Sequence, residues 1–300
     1  MSATTKKMHN QLEIAVNYSC FLGEGPVWGA AHNCIYWVDI IPADIHRYSL
    51  TTKQHETFNV GKMVGAIVLR KGGGLLAALQ NGFAYVDFDN KTVTPITDPE
   101  AHLPGNRFND GKCDPAGRFW AGTMPLNEKD PVGNVYMLDT DLSITHKIAG
   151  VTISNGLAWT ADNATFYYID TPTRVVVAFD YDITMGSIAN KRVVVDVHNE
   201  VGYPDGMTID KNGMLWIAFF GGWQVAQFNP HTGEKLQSIA LPAANITCCT
   251  FGGPDLTDLY VTSATKELTA EDKLKQPDAG CLFVIKNMEV GGVAPHEFGG

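Results

Sequence analysis

Tyr203-Pro204-Asp205-Gly206-Met207-Thr208-Ile209-Asp210 runs through Asn212-Gly213 into Leu215-Trp216-Ile217-Ala218. Proline and glycine fix the backbone on either side of Asp205, and a β-rich run follows at once, so the stretch reads as a carboxylate held at the mouth of a strand. The same pattern recurs. Ser154-Asn155-Gly156-Leu157 leads through Ala161-Asp162-Asn163 to Phe166-Tyr167-Tyr168-Ile169-Asp170. Phe108-Asn109-Asp110-Gly111-Lys112 leads through Asp114-Pro115-Ala116-Gly117 to Phe119-Trp120-Ala121-Gly122. Gly23-Glu24-Gly25-Pro26 leads through His32-Asn33 to Ile35-Tyr36-Trp37-Val38-Asp39.

With Gly65 and Thr250 as further landmarks, blades start near Glu24, Gly65, Asn109, Asn155, Asp205 and Thr250, at spacings of 41, 44, 46, 50 and 45 residues. Repeats of roughly 40–50 residues, each reading strand-turn-strand-turn-strand-turn-strand, predict propeller blades. The expected fold is all-β: a six-bladed β-propeller with four antiparallel strands per blade, forming one domain over residues 1–300. The sixth blade has a weak outer strand. Leu12-Glu13-Ile14-Ala15-Val16 is expected to supply it, with residues 12–17 closing the ring and leaving no open edge. Thr269, with Asp272 three residues on, predicts a short capped helix inside the long loop 264–279, which reads as a connection or a lid over the mouth.

The 300 residues are 45% hydrophobic and 18% charged, with a formal net charge of -10. That balance suits a large core and lacks the basic face a nucleic-acid partner needs. The Met1–His9 stretch has no apolar run behind its lysines, and no segment reaches 18 apolar residues, so neither a signal peptide nor a membrane span is expected. Six cysteines without a C-x-x-C pair read as buried, reduced thiols, and the expected compartment is the cytoplasm.

In a propeller the innermost strands line a central channel, and equivalent residues of successive blades form one ring. Glu24, Asn109, Asn155 and Asp205 share that place. A single Asp-Gly or Asn-Gly is ordinarily a turn. Four oxygen donors in register instead suit a hard divalent cation, while zinc, which also accepts carboxylates, is less natural without histidine or cysteine. Arg107, two residues before Asn109, shares its face and suits a clamp for a substrate hydroxyl or carboxylate. Asp110 and Lys112 are expected to face outward or into the inter-blade core, and Asp39, Asp170 and Asp210 to cap backbone groups. Most tryptophans are expected to pack between blades.

These motifs, together with Ala121-Gly122-Thr123-Met124, Cys249-Thr250-Phe251-Gly252-Gly253 and Gln276-Pro277-Asp278-Ala279-Gly280, closely resemble the senescence marker protein/gluconolactonase/luciferin-regenerating-enzyme family over essentially the whole chain. The resemblance implies a six-bladed propeller with one divalent metal on Glu24, Asn155 and Asp205. It also implies substrate contacts from Arg107 and Asn109 and hydrolysis of a sugar lactone such as gluconolactone. Calcium or zinc is the implied metal, with magnesium or manganese as further options. One branch of the family carries consecutive glutamates after Ala-Gly-Thr-Met, one of which binds substrate. Here Pro125-Leu126-Asn127-Glu128 stands instead; Asn127 falls at the acid's place and Glu128 substitutes for it after a small loop shift, so both are expected as substrate contacts. Asp205 is expected to act as general base beside a Lewis-acidic metal. The expected partner is a small lactone, and the expected state a monomer or weak homodimer. A calcium-binding regulatory or scaffold propeller with incidental hydrolase activity is the alternative.

Overall fold

The computed structural model describes residues 11–300; the Met1–His9 stretch lies outside them. Six four-stranded antiparallel sheets form the ring of a six-bladed propeller. The innermost strands are Gly23–Gly29, Val64–Leu69, Asn106–Cys113, Ser154–Trp159, Tyr203–Ile209 and Asn245–Gly252, from blade one to blade six. The second strands Leu75–Leu79 and Phe119–Pro125 are buried throughout, as apolar runs covered on both faces must be. Outer strands such as Thr92–Thr97 and Lys235–Ala240 carry exposed polar residues.

Ring closure comes from the N-terminal side. Gln11–Val16 pairs antiparallel with Leu282–Lys286, so blade six contains strands from both parts of the chain and its edge is covered. Large aromatic contacts join neighbouring blades: Trp28 stacks on Tyr260 with centroids 6.5 Å apart, Trp120 meets Trp159 edge-on at 5.7 Å, and Trp216 meets Phe251 at 6.2 Å. Trp223 departs from this pattern and is exposed.

A β-bulge interrupts each innermost strand where it pairs with its neighbour, between Glu24 and Val27, Val64 and Ala66, Phe108 and Gly111, Asn155 and Leu157, Pro204 and Met207, and Ile246 and Cys248. An extra residue on one strand breaks the two-residue alternation and re-aims the side chains beside it. The sixth landmark is therefore Thr247, three residues before the expected Thr250. Its hydroxyl donates to Gly23 O at 2.6 Å, tying blade six to blade one.

The short helix Ala270–Lys275 begins at Thr269, whose hydroxyl accepts from Asp272 N in a capping box. No helix among the described residues is long and apolar enough to cross a membrane.

Candidate functional site

The bulges aim Glu24, Asn109, Asn155 and Asp205 into one cavity of about 350 Å³ at one end of the channel. Gly65, blade two's landmark, has no side chain to contribute; its backbone packs against Phe108 and Asn109. Asn109 and Asn155 are fixed by a hydrogen-bonded chain crossing three blades. Arg107 Nη1 donates to Asn109 Oδ1 at 2.7 Å and Asn109 Nδ2 to Asn155 Oδ1 at 3.1 Å. Asn155 Nδ2 then donates to Thr171 Oγ1 at 2.8 Å, and Thr171 to Pro204 O at 2.9 Å. Asn109 Nδ2 also donates to Ser154 O at 2.7 Å, so with both its donors committed Asn109 holds the Asn155 amide in one orientation, and Asn155 Oδ1 keeps a lone pair free.

The two carboxylates are electrostatically exposed to one another. Burial pushes the Glu24 carboxyl well above the usual range, and Asp205, then Asp110, push it further. Asp205 is likewise raised well above the usual range by burial and then by Asp110, with Lys266 partly offsetting this. Neither makes an ion pair with lysine or arginine among the described residues. Two buried, unpaired carboxylates and a fixed amide oxygen are the donor set of a hard divalent cation, so these residues fit such an ion. Arg107 is fully enclosed, and burial pulls its guanidinium down to about 10, which leaves it charged at neutral pH.

Asp110 and Lys112 correct the sequence expectation. The bulge at Asn109–Asp110 turns successive residues inward, and both line the channel further along the inner strands. Asp110 Oδ1 accepts from Gly111 N at 2.7 Å, and Lys112 Nζ donates to Met207 O at 2.9 Å. Thr250 belongs to that deeper region, beside Lys112 and His296.

Asn127 does not line the cavity. Its amide donates to Asp130 at 2.6 Å, and its Oδ1 accepts from Lys129 N at 3.1 Å, closing a local turn. Glu128, at φ 58°, does line it, and pairs with Lys266 Nζ at 2.5 Å across the mouth. Lys266 and Glu267, from the 264–279 loop, complete that side, whereas the helix Ala270–Lys275 stands apart from the cavity. Sequence reading missed Asp110, Thr171 and Lys266. Only the Asn-Asp-Gly bulge signal at Asp110 could have been found, since the other two reach the site through tertiary contact.

Asp39, Asp170 and Asp210 do cap backbone groups. Asp39 accepts from Phe21 N and Leu22 N, Asp170 from Thr152 N and Ile153 N, and Asp210 from Asn212 N and Met214 N. All six cysteines are buried and free.

The fold and site define a closed six-bladed propeller whose channel mouth gathers two buried carboxylates, two asparagines and a buried arginine. Residues 22–265 match the family model described as SMP-30/Gluconolactonase/LRE-like region, and the chain belongs to that family. It is similar to regucalcin from Danio rerio, 42% identical over 292 residues that cover 97% of this chain and 99% of that protein. A Bacillus subtilis (strain 168) protein, YvrE, whose name assigns it provisionally as a sugar lactone lactonase, is 38% identical, with 93% of this chain and 95% of that one covered. Among solved structures, a calcium-binding regucalcin from Agrobacterium tumefaciens superposes with a TM-score of 0.92 at 26% identity, covering 96% of this chain and 97% of that one.

Proposed function

We propose that this protein hydrolyses a sugar lactone, converting an aldonolactone such as gluconolactone to its aldonic acid with a divalent metal bound in the channel. The observation that carries this reading is the convergence of Glu24, Asn155 and Asp205 in the cavity that also presents Arg107 and Asn109. The three acidic and amide side chains would hold the ion, calcium or zinc first, with magnesium or manganese also accommodated by oxygen donors. Bound there, the cation supplies Lewis-acid polarisation of the ester carbonyl.

The chain's own residues supply the rest. Asp205, through an oxygen left free, takes a proton from the water that attacks the carbonyl carbon. As the ring C–O bond breaks, that proton passes to the departing alkoxide, so one water adds across the ester. Arg107 and Asn109 orient ring hydroxyls, their geometry fixed beforehand by the chain through Asn155 and Thr171. Glu128 takes the acid's role in substrate binding, because it faces the cavity and Asn127 does not. Met124, Ile153 and Phe220 give the walls their apolar surface.

The test is turnover of a panel of aldonolactones by chelated protein with calcium, zinc, magnesium and manganese restored separately, beside Asp205→Asn. Metal-restored hydrolysis, lowered by at least two orders of magnitude in Asp205→Asn with the fold intact, is expected. No turnover with tight metal binding would replace the enzyme by the calcium-binding scaffold.

A further inference from the structure

Away from the channel, three unlike donors converge beneath the segment that closes the ring. Cys20 lies between the strands Gln11–Val16 and Gly23–Gly29, Asp39 ends the second strand of blade one, and His46 lies in the third strand, Asp44–Ser49. One ligand atom from each falls within 4.8 Å of the others, and all three residues are buried. Cys20 Sγ stands 3.8 Å from His46 Nε2. His46 Nδ1 is engaged with Thr57 Oγ1 and His55 Nε2, each at 3.0 Å. An Nδ1–H donated to either partner leaves the Nε2 lone pair directed at the thiol, which is how ligating imidazoles are commonly oriented.

The Asp39 carboxylate is buried and makes no ion pair among the described residues; it is held by two backbone amides, Phe21 N and Leu22 N, each at 2.8 Å. Each of its oxygens retains a second lone pair. A hydrogen-bonded thiol accounts for Cys20 and His46 without a ligand, but it leaves that carboxylate without a counter-charge.

We propose that Cys20, Asp39 and His46 form a second metal site, independent of the channel, that takes a zinc ion. Thiolate, carboxylate and neutral imidazole carry two negative charges, which one Zn2+ cancels. The mixed sulfur, nitrogen and oxygen set selects zinc over the hard ions suited to the channel. Binding breaks the Cys20 S–H bond and forms an S–Zn bond, and the proton leaves to solvent. Zinc bonds of about 2.0–2.3 Å require these donors to close by about an ångström, a movement that side-chain rotation supplies, with water in the fourth position. The ion would pin the Cys20 segment to blade one at the place where the ring closes.

The test uses the full chain carrying Glu24→Gln and Asp205→Asn, which silences the channel ligands. After chelation it should take up one equivalent of Zn2+ by equilibrium dialysis. With Co2+ as probe it should show thiolate-to-metal charge-transfer absorption. Adding Cys20→Ser, or separately His46→Gln, should abolish the equivalent, and Cys20→Ser the absorption; Cys248→Ser should preserve both. No zinc uptake by the channel variant, cobalt binding without the thiolate band, or a band that survives Cys20→Ser would each overturn the assignment. The His46→Gln arm reads zinc uptake even if Cys20→Ser does not fold.

Discussion

Gly65 shows how much one missing side chain does. A Cβ there would stand 2.4 Å from both Phe108 O and Asn109 O, backbone atoms that cannot step aside without moving the inner strand of blade three. Gly65→Ala is therefore expected to cost about 1–3 kcal/mol, read by urea denaturation, and to raise KM for the lactone as Asn109 shifts. Unchanged stability would mean that blade three yields more easily than its packing suggests. The Lys266–Glu128 pair has a different signature. Both side chains are partly exposed, so it adds only about 0.2–1 kcal/mol to stability. Its position at the mouth makes KM the sensitive quantity: Lys266→Met frees Glu128 and should change KM several-fold while the melting temperature stays nearly constant.

Two turns that share an aspartate, a glycine three residues on and a tryptophan six residues on show how the repeat is held at the level of elements. Asp114 accepts from the Ala116 and Arg118 amides, the Trp120 indole, the Arg118 guanidinium and the Tyr181 hydroxyl. Asp210 accepts from the Asn212 and Met214 amides, the Trp216 indole and the Gln227 amide. Both aspartates serve a turn and the tryptophan six residues on, but only Asp114 also neutralises a buried arginine. Asp114→Ala should cost about 3–5 kcal/mol by stranding that charge, and Asp210→Ala about 1–3 kcal/mol, compared by denaturant midpoint. A chain beginning at residue 17 lacks the strand that pairs with Leu282–Lys286. It should melt at a lower temperature and self-associate through the bared edge, seen by calorimetry and sedimentation.

For the molecule as a whole, buried thiols predict a loss of stability in alkali. Burial pushes the Cys249 thiol up to about 12 and raises Cys113 well above its ordinary value. The folded chain thus keeps protons that the unfolded chain releases above about pH 8.5. Stability is fully present below that pH and falls as pH rises toward 12. Each thiol contributes a slope of about 1.4 kcal/mol per pH unit. Urea midpoints measured under reducing conditions from pH 8 to 10 should decline, and Cys113→Ala or Cys249→Ala should flatten the decline by that amount. An unchanged slope in both variants would show that these thiols ionise in the folded protein.

Sequence alone determined the blade count, the four-stranded repeat, the N-terminal closure and the ring of Glu24, Asn109, Asn155 and Asp205, because strand periodicity and turn chemistry are local and were repeated. Tertiary structure decided what depends on bulges and on loops meeting across the mouth. An extra residue in an inner strand turned Asp110 and Lys112 into the channel and moved the sixth landmark from Thr250 to Thr247. A local turn sent Asn127 outward and brought Glu128 to Lys266, 138 residues away in the chain. The Cys20, Asp39 and His46 cluster belongs to the same kind: residues without ligand spacing in sequence, brought together only because neighbouring strands and the closing segment pack side by side.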